Sequence, residues 1–529
     1  MNGFVILVFI IVLPQVGFLV YLYFREQEAR SKCLYYSKQG FCTFFSFLKG
    51  IRALATPYCR DSLAPLRDAC RKVPEDAPGI VVADAWQKCA HLIITDRHVA
   101  NEFLMTEHDF AVRSLQDKVP WKSSFGFLSK LENGRHPAYA VMKQCFGSDG
   151  AIKYFEKLRE LAIDASAMFL ETSTKLKPGS DLKFVVENMV CSIFQSLFFG
   201  EYSKSLRVHN GVMPVVDAML YIVQIGLDSR GLYSNANQLS VGWATSLGLV
   251  SGTSQAGTLY NECQTILDQF VSKKLESGYT TDDVFDIFLQ RFWNLEEEYD
   301  EDTPRDVSAF LMDLVTLGVA PTAGFLTNLL FMLTKEPSNQ QAIREELLNR
   351  GVLPKNISVE HLNNLPVLDT YIKTCYMKYN PMQCTWQRLI YKDATIGKYE
   401  FNPGDRVTIP LFDSLTEKPT EDISNSQNPG SGPYQEESEP LNESNATDRN
   451  KKSQTTSHPR LSPMKLCPFS SGQRACPAQD FANNIIKLLI INIVLWSNMS
   501  PSTDNDIRFE SMPMFVCGSL PVNVNVLFN

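Results

Sequence analysis

The 529-residue sequence contains no CxxC pair: its 13 cysteines are scattered singly along the chain, and so are its 7 histidines. No zinc-type ligand spacing arises from either residue type, and an odd thiol count without paired spacing argues against a disulfide framework. Most of these cysteines read as buried, reduced thiols of a cytosol-facing protein. Positive charge is also in short supply, because 50 Lys and Arg stand against 58 Asp and Glu, a net charge of −8. That balance gives a nucleic-acid polyanion no footing as a partner. Internal repeats are absent too.

Apolar residues are not scarce. A hydrophobic content of 44% with 33 Phe is ample for a large core, and the length would accommodate two domains. The stretch FVILVFIIVLPQVGFLVYLYF, residues 4–24, is nearly uncharged and long enough to cross a bilayer. Tyr21 and Tyr23 fall near its end, where an aromatic belt would lie, and Arg25, Arg30 and Lys32 follow directly. The positive-inside rule then puts the remainder on the cytosolic side. No A-x-A-like cleavage site follows, so residues 1–24 read as a single-pass signal anchor. Residues 25–72, aromatic and basic, read as a juxtamembrane linker that can rest on the membrane surface. Residues 73–529 form the remaining domain.

Within that domain, GIVVADAWQKCAHLIITDRHVANEFLM predicts short strands followed by a helix, and YFEKLRELAIDASAMFLE and LKFVVENMVCSIFQSLFF carry helical apolar periodicity. A long apolar helical run spans Val307 to Leu333, interrupted by Pro321. Residues 394–412 predict a hairpin turning at Pro403 and Gly404. The stretch 414–463 is rich in Ser, Thr, Asn, Pro and Glu and nearly devoid of large apolars. Such a segment cannot bury enough surface to offset its chain entropy and reads as a mobile polar loop. The sequons at Asn442 and Asn445 would be idle on the cytosolic side. Beyond the loop, FANNIIKLLIINIVLW predicts one more apolar helix, followed by a hairpin-like tail.

The segment PFSSGQRACPAQDFA, residues 468–482, sets one cysteine behind a Gly–Arg turn and ahead of that helix. A helix N-terminus favours the thiolate form, and Pro477 suits a first helical turn. A thiolate there could serve as a nucleophile, as an iron ligand, or only as a packed thiol; no histidine base lies within the segment.

Phe469, Gly472, Arg474 and Cys476 together match the F-x-x-G-x-R-x-C signature, so the chain resembles the cytochrome P450 family. The usual glycine two residues past the cysteine is Ala478 here. The resemblance implies a mainly α fold with small β-sheets behind the N-terminal transmembrane helix. It implies haem (iron protoporphyrin IX) as cofactor, with Cys476 as axial iron ligand, Phe469 shielding the sulfur, Gly472 permitting the turn, and Arg474 and Arg388 pairing the propionates. Residues 365–412 and the run around Leu314 to Leu348 resemble the K, I and J helix regions of mitochondrial-type steroidogenic members, such as the cholesterol side-chain-cleaving enzyme.

Three departures from the family pattern stand out. The K-helix Glu-x-x-Arg positions align with Thr374 and Met377, so that ion pair is lost. The I-helix acid–alcohol pair, which delivers protons in oxygen activation, aligns with Ala320 and Pro321; Thr322 is the candidate catalytic alcohol if the helix shifts by one residue. The W-x-x-x-R motif has no clear counterpart, although Arg135, His136 or Lys143 could approach a propionate. The resemblance implies a haem-thiolate monooxygenase acting on a lipophilic substrate, with a steroid or sterol as the suggested class. Its electrons would come from an NADPH-dependent flavoprotein reductase or a ferredoxin; Lys373 and Lys378 could meet the latter. The departures keep two alternatives open: an oxygen-independent haem isomerase or dehydratase, and a catalytically impaired haem-binding pseudoenzyme. The anchor points to the endoplasmic reticulum membrane, with the mitochondrial inner membrane as the alternative.

Overall fold

A computed structural model describes residues 13–44, 70, 73–113, 137–222, 251–277, 303–411, 468–502 and 509–527, except positions 75, 85–87, 383, 386, 512–514 and 518. The polar stretch 414–463, its two sequons, Arg135, His136 and the anchor before Leu13 lie outside the described residues.

The chain enters as helix α1 (Leu13–Lys38), which runs through the expected anchor–linker boundary without a break. Its first half presents exposed apolar side chains at Val16, Val20, Tyr21, Tyr23 and Phe24, whereas Ala29, Cys33 and Tyr36 on the second half are fully buried. The burial has a polar anchor. The Tyr36 hydroxyl donates to the Asp405 carboxylate at 2.8 Å, and the Ala90 amide donates to its other oxygen at 2.9 Å. The second half of α1 therefore packs on the domain.

That fastening is to a six-stranded sheet made of β1 (Cys42–Phe44), β2 (Gly79–Asp84), β3 (Cys89–Ile94), β4 (Ala111–Arg113), β5 (Arg388–Ile390) and β8 (Arg406–Thr408), in the order β1-β2-β3-β8-β5-β4. β1 runs parallel to β2 and β3 parallel to β8; the other neighbours are antiparallel. The sheet thus brings residues near 90, 110, 390 and 405 side by side. Between β5 and β8, β6 (Ala394–Ile396) and β7 (Tyr399–Phe401) form the hairpin expected in 394–412. It turns at Gly397, whose φ of +56° favours glycine, and not at Pro403–Gly404, which instead lead into β8.

Helix α2 (Arg97–Thr106) follows β3 as expected, started by Asp96, whose carboxylate accepts the Val99 amide at 2.9 Å. The helical half of the domain is built from α3 (Phe155–Lys175), α4 (Lys183–Phe199), α5 (Ser251–Ser277), α6 (Thr303–Lys335), α7 (Pro337–Asn349), α8 (Pro366–Tyr379) and α9 (Gln479–Trp496). One apolar core joins their faces, with Phe169, Phe199, Phe325 and Leu489 fully inside. Helix α6 continues past Pro321. Its part from Leu317 to Lys335 is long and apolar enough to cross a membrane, yet is 78% buried among its neighbours, as a central core helix is. The chain ends in an antiparallel pair, β9 (Ser497–Pro501) with β10 (Val522–Val526).

Candidate active site

The residues of the Cys476 loop are positioned by their own backbone first. The Cys476 amide donates to the Phe469 carbonyl at 2.9 Å, and the Ala475 amide to the Gly472 carbonyl at 3.1 Å. This tight reversal ends at Cys476, directly ahead of α9. Gly472 sits at φ +77°, and a Cβ there would lie 2.0 Å from the Leu104 carbonyl oxygen. Only glycine permits that approach, which presses the loop onto the end of α2.

Arg474 and Arg388 come together although 86 residues separate them (474 − 388). Both are buried, and both face Glu107, which is 1% exposed. Arg388 donates from Nε to one Glu107 oxygen at 2.5 Å and from Nη2 to the other at 3.1 Å. Arg474 donates from Nη2 to the Ala111 carbonyl at 2.7 Å, while its Nη1 stands 3.6 Å from Glu107. The sheet explains the meeting. β4 pairs with β5 so that Arg113 faces Arg388, which sets the segment preceding β4 beside β5. Sequence reasoning missed Glu107 because a lone acid after a helix reads as a solvated end.

Phe469 rests on an aromatic ladder. Its ring meets Tyr376 of α8 edge-on at 5.3 Å between centroids, and Tyr376 stacks on Phe325 of α6 at 3.8 Å. The Tyr376 hydroxyl donates to Asn483 Oδ1 of α9 at 3.1 Å. Burial, and secondarily the charge on Cys476, pushes the Tyr376 phenol well above its usual acidity range. It therefore stays protonated and donates. Several thiols are held neutral in the same way: burial raises Cys33, Cys70, Cys263 and Cys375 to about 12, and desolvation raises the half-buried Cys384 to about 11. Cys33, Cys42, Cys70, Cys89, Cys145, Cys191, Cys263, Cys375, Cys384 and Cys476 are free thiols.

Two expectations need correction or closer placement. Thr374 faces solvent and bonds the Thr370 carbonyl within its own helix at 2.8 Å. The buried stripe of α8 is Leu368, Tyr371, Ile372, Cys375 and Tyr376, at helical spacing. Thr374 and the half-buried Met377, the positions that align with the Glu-x-x-Arg pair, lie beside that stripe, and neither carries a charge. Thr322 is buried on α6, and its hydroxyl donates to the Gly318 carbonyl one turn back at 2.6 Å. Lys143 is exposed.

The donor set fits haem. A thiol closes a rigid turn at a helix entrance, and two guanidiniums converge in a buried place with one carboxylate between them, leaving the three with a net charge of +1. A porphyrin carries an iron for the first and carboxylates for the second.

The family model described as "Cytochrome P450" matches residues 76–419, which includes Glu107 and Arg388 and stops ahead of the Cys476 loop. The chain is 22% identical over 266 residues to cytochrome P450 71A12 of Arabidopsis thaliana, covering 49% of each chain. It is 26% identical over 242 residues to cytochrome P450 4F5 of Rattus norvegicus, covering 44% of this chain and 40% of the relative. It is 33% identical over 106 residues to the mitochondrial cytochrome P450 11B of Aquarana catesbeiana, covering 20% of each. The chain thus spans about half the length or less of the curated relatives it matches.

Proposed function

Since the chain belongs to the cytochrome P450 family, whose members bind haem, we propose that it is a haem-thiolate monooxygenase with Cys476 as the iron ligand. The single observation that carries this reading is the Cys476 turn, locked by its amide on the Phe469 carbonyl and seated on α2 by Gly472. Bound haem supplies the redox chemistry of oxygen activation, which an anionic sulfur ligand favours.

The side chains divide the remaining work. Cys476 presents its sulfur at the start of α9, where free N–H groups favour the thiolate. Phe469, braced by Tyr376, limits water at the sulfur. Arg388 and Arg474 hold the propionates. Thr322 is the buried alcohol available to hold a proton at its Oγ1, in place of the pair absent at Ala320 and Pro321. The substrate is a lipophilic molecule, with the steroid or sterol class drawn from the resemblance of the α6–α8 region. An NADPH-dependent flavoprotein reductase or a ferredoxin supplies electrons. The exposed apolar side chains on the first half of α1 support membrane attachment through residues 1–24, in the endoplasmic reticulum or, as the alternative, the mitochondrial inner membrane.

A second reading, a catalytically impaired haem-binding protein or an oxygen-independent isomerase or dehydratase, is favoured by one observation: the Thr322 hydroxyl is already engaged by Gly318. The experiment that separates them supplies either redox partner, NADPH and isotopically labelled dioxygen to the haem-loaded protein with a panel of sterols and steroids. Label in a product supports the monooxygenase. Haem incorporation without labelled product under any pairing sinks it in favour of the second reading.

A further inference from the structure

Glu107 is the group that the functional reading leaves without a task. It is a carboxylate 1% exposed, between two arginines that are 3% and 5% exposed. Its two oxygens take the Nε and Nη2 edge of Arg388, and one of them stands 3.6 Å from Nη1 of Arg474. Chemically it is what a propionate is: a carboxylate presented to guanidiniums in a water-poor place. Depriving a buried cation of a carboxylate partner is costly, and Glu107 is a carboxylate that both guanidiniums face.

We propose that Glu107 is a built-in counter-carboxylate, which offsets half of the charge of Arg388 and Arg474 while haem is absent and shares them with a propionate once haem is bound. The proposal rests on the haem reading of the Cys476 site. Sharing has a thermodynamic sign. A second carboxylate brought to the same pair of cations is attracted by both guanidiniums and repelled by Glu107. Glu107 and the propionate are therefore negatively coupled: each weakens the other's hold on the arginines, by the same factor in both directions. A residue that merely braces the fold would show no such coupling. Glu107 therefore trades some haem affinity for stability of the haem-free chain.

The test is a cycle on full-length, detergent-solubilised protein, wild type and Glu107→Gln, each melted without and with haem, with haem affinity read by Soret titration. Glu107→Gln should melt well below wild type when haem-free and recover part of that loss when loaded, about 1.4 kcal/mol for a tenfold gain in affinity. Its haem affinity should rise about tenfold, within the usual range for groups sharing one charge network. Haem dimethyl ester, which lacks the propionate charges, should cancel the gain. If the haem-free variant does not fold, refolding it with haem should restore it and refolding with the diester should not; failure with both overturns the proposal. Equal haem-induced shifts in the two proteins overturn the sharing alone and leave the haem reading intact. A wild type that takes up no haem overturns both.

Discussion

Arg388 lays the edge of its guanidinium on both oxygens of Glu107, 281 residues away in the chain, with both side chains buried. A paired contact of this kind is costly to break from one side, because the survivor is a buried charge. Arg388→Met should therefore lower stability by about 3–5 kcal/mol, read by urea denaturation. Arg388→Met with Glu107→Leu should lose less than Arg388→Met alone. A double variant that is no better would mean that the pair is not the origin of the loss.

Gly472→Ala places a methyl group 2.0 Å from the Leu104 carbonyl oxygen, and the backbone cannot yield without moving the turn that ends at Cys476. The substitution should cost about 1–3 kcal/mol and reduce haem per chain, read by absorbance on purified protein. Unchanged haem content would show that the seat on α2 does not position the loop.

Tyr376 links three segments, through Phe325, Phe469 and Asn483. Tyr376→Phe removes one hydrogen bond and should cost about 1 kcal/mol with the haem spectrum unchanged. Tyr376→Ala removes the ladder and should cost about 3–5 kcal/mol, with the reduced, carbon monoxide-bound spectrum shifted toward that of a neutral thiol. Equal effects of the two would assign the role to the hydroxyl instead of the ring.

Asp405 ties α1 to the sheet, and burial raises its carboxyl above the usual range, partly offset by the Ala90 amide and the Tyr36 hydroxyl. The folded form thus binds its proton more tightly than the unfolded chain. Stability contributed here is greatest below the ordinary carboxylate range, and falls as pH rises from that range through the folded value. Asp405→Asn should flatten that part of the profile, measured as Tm against pH. An unaltered slope would assign the dependence to other groups.

What the sequence conveys about this protein follows the reach of each signal. Helical periodicity and the Asp96 cap are local, and α2, α3, α4, α6 and α9 lie where they were expected. A hairpin lies within 394–412 but only over Ala394–Phe401, while Arg406–Thr408 joins the large sheet; Pro403–Gly404 misleads because a Pro–Gly pair is a stronger local signal than Gly397–Lys398. The F-x-x-G-x-R-x-C spacing displayed the Cys476 loop outright, since turn, cysteine and helix are neighbours in the chain. Glu107 and Tyr376 were invisible for the opposite reason. Their partners arrive through strand pairing and helix packing across 281 and 93 residues (388 − 107 and 469 − 376), and nothing in their own neighbourhoods marks them.

The central claim is that Cys476 ligates haem iron as a thiolate, and the carbon monoxide difference spectrum of the reduced protein addresses it directly, with wild type and Cys476→Ala side by side. Wild type should give a Soret band far to the red, as thiolate-ligated haem does, and Cys476→Ala should lose it. A red-shifted band that survives in Cys476→Ala, or its absence from haem-loaded wild type, would refute the assignment.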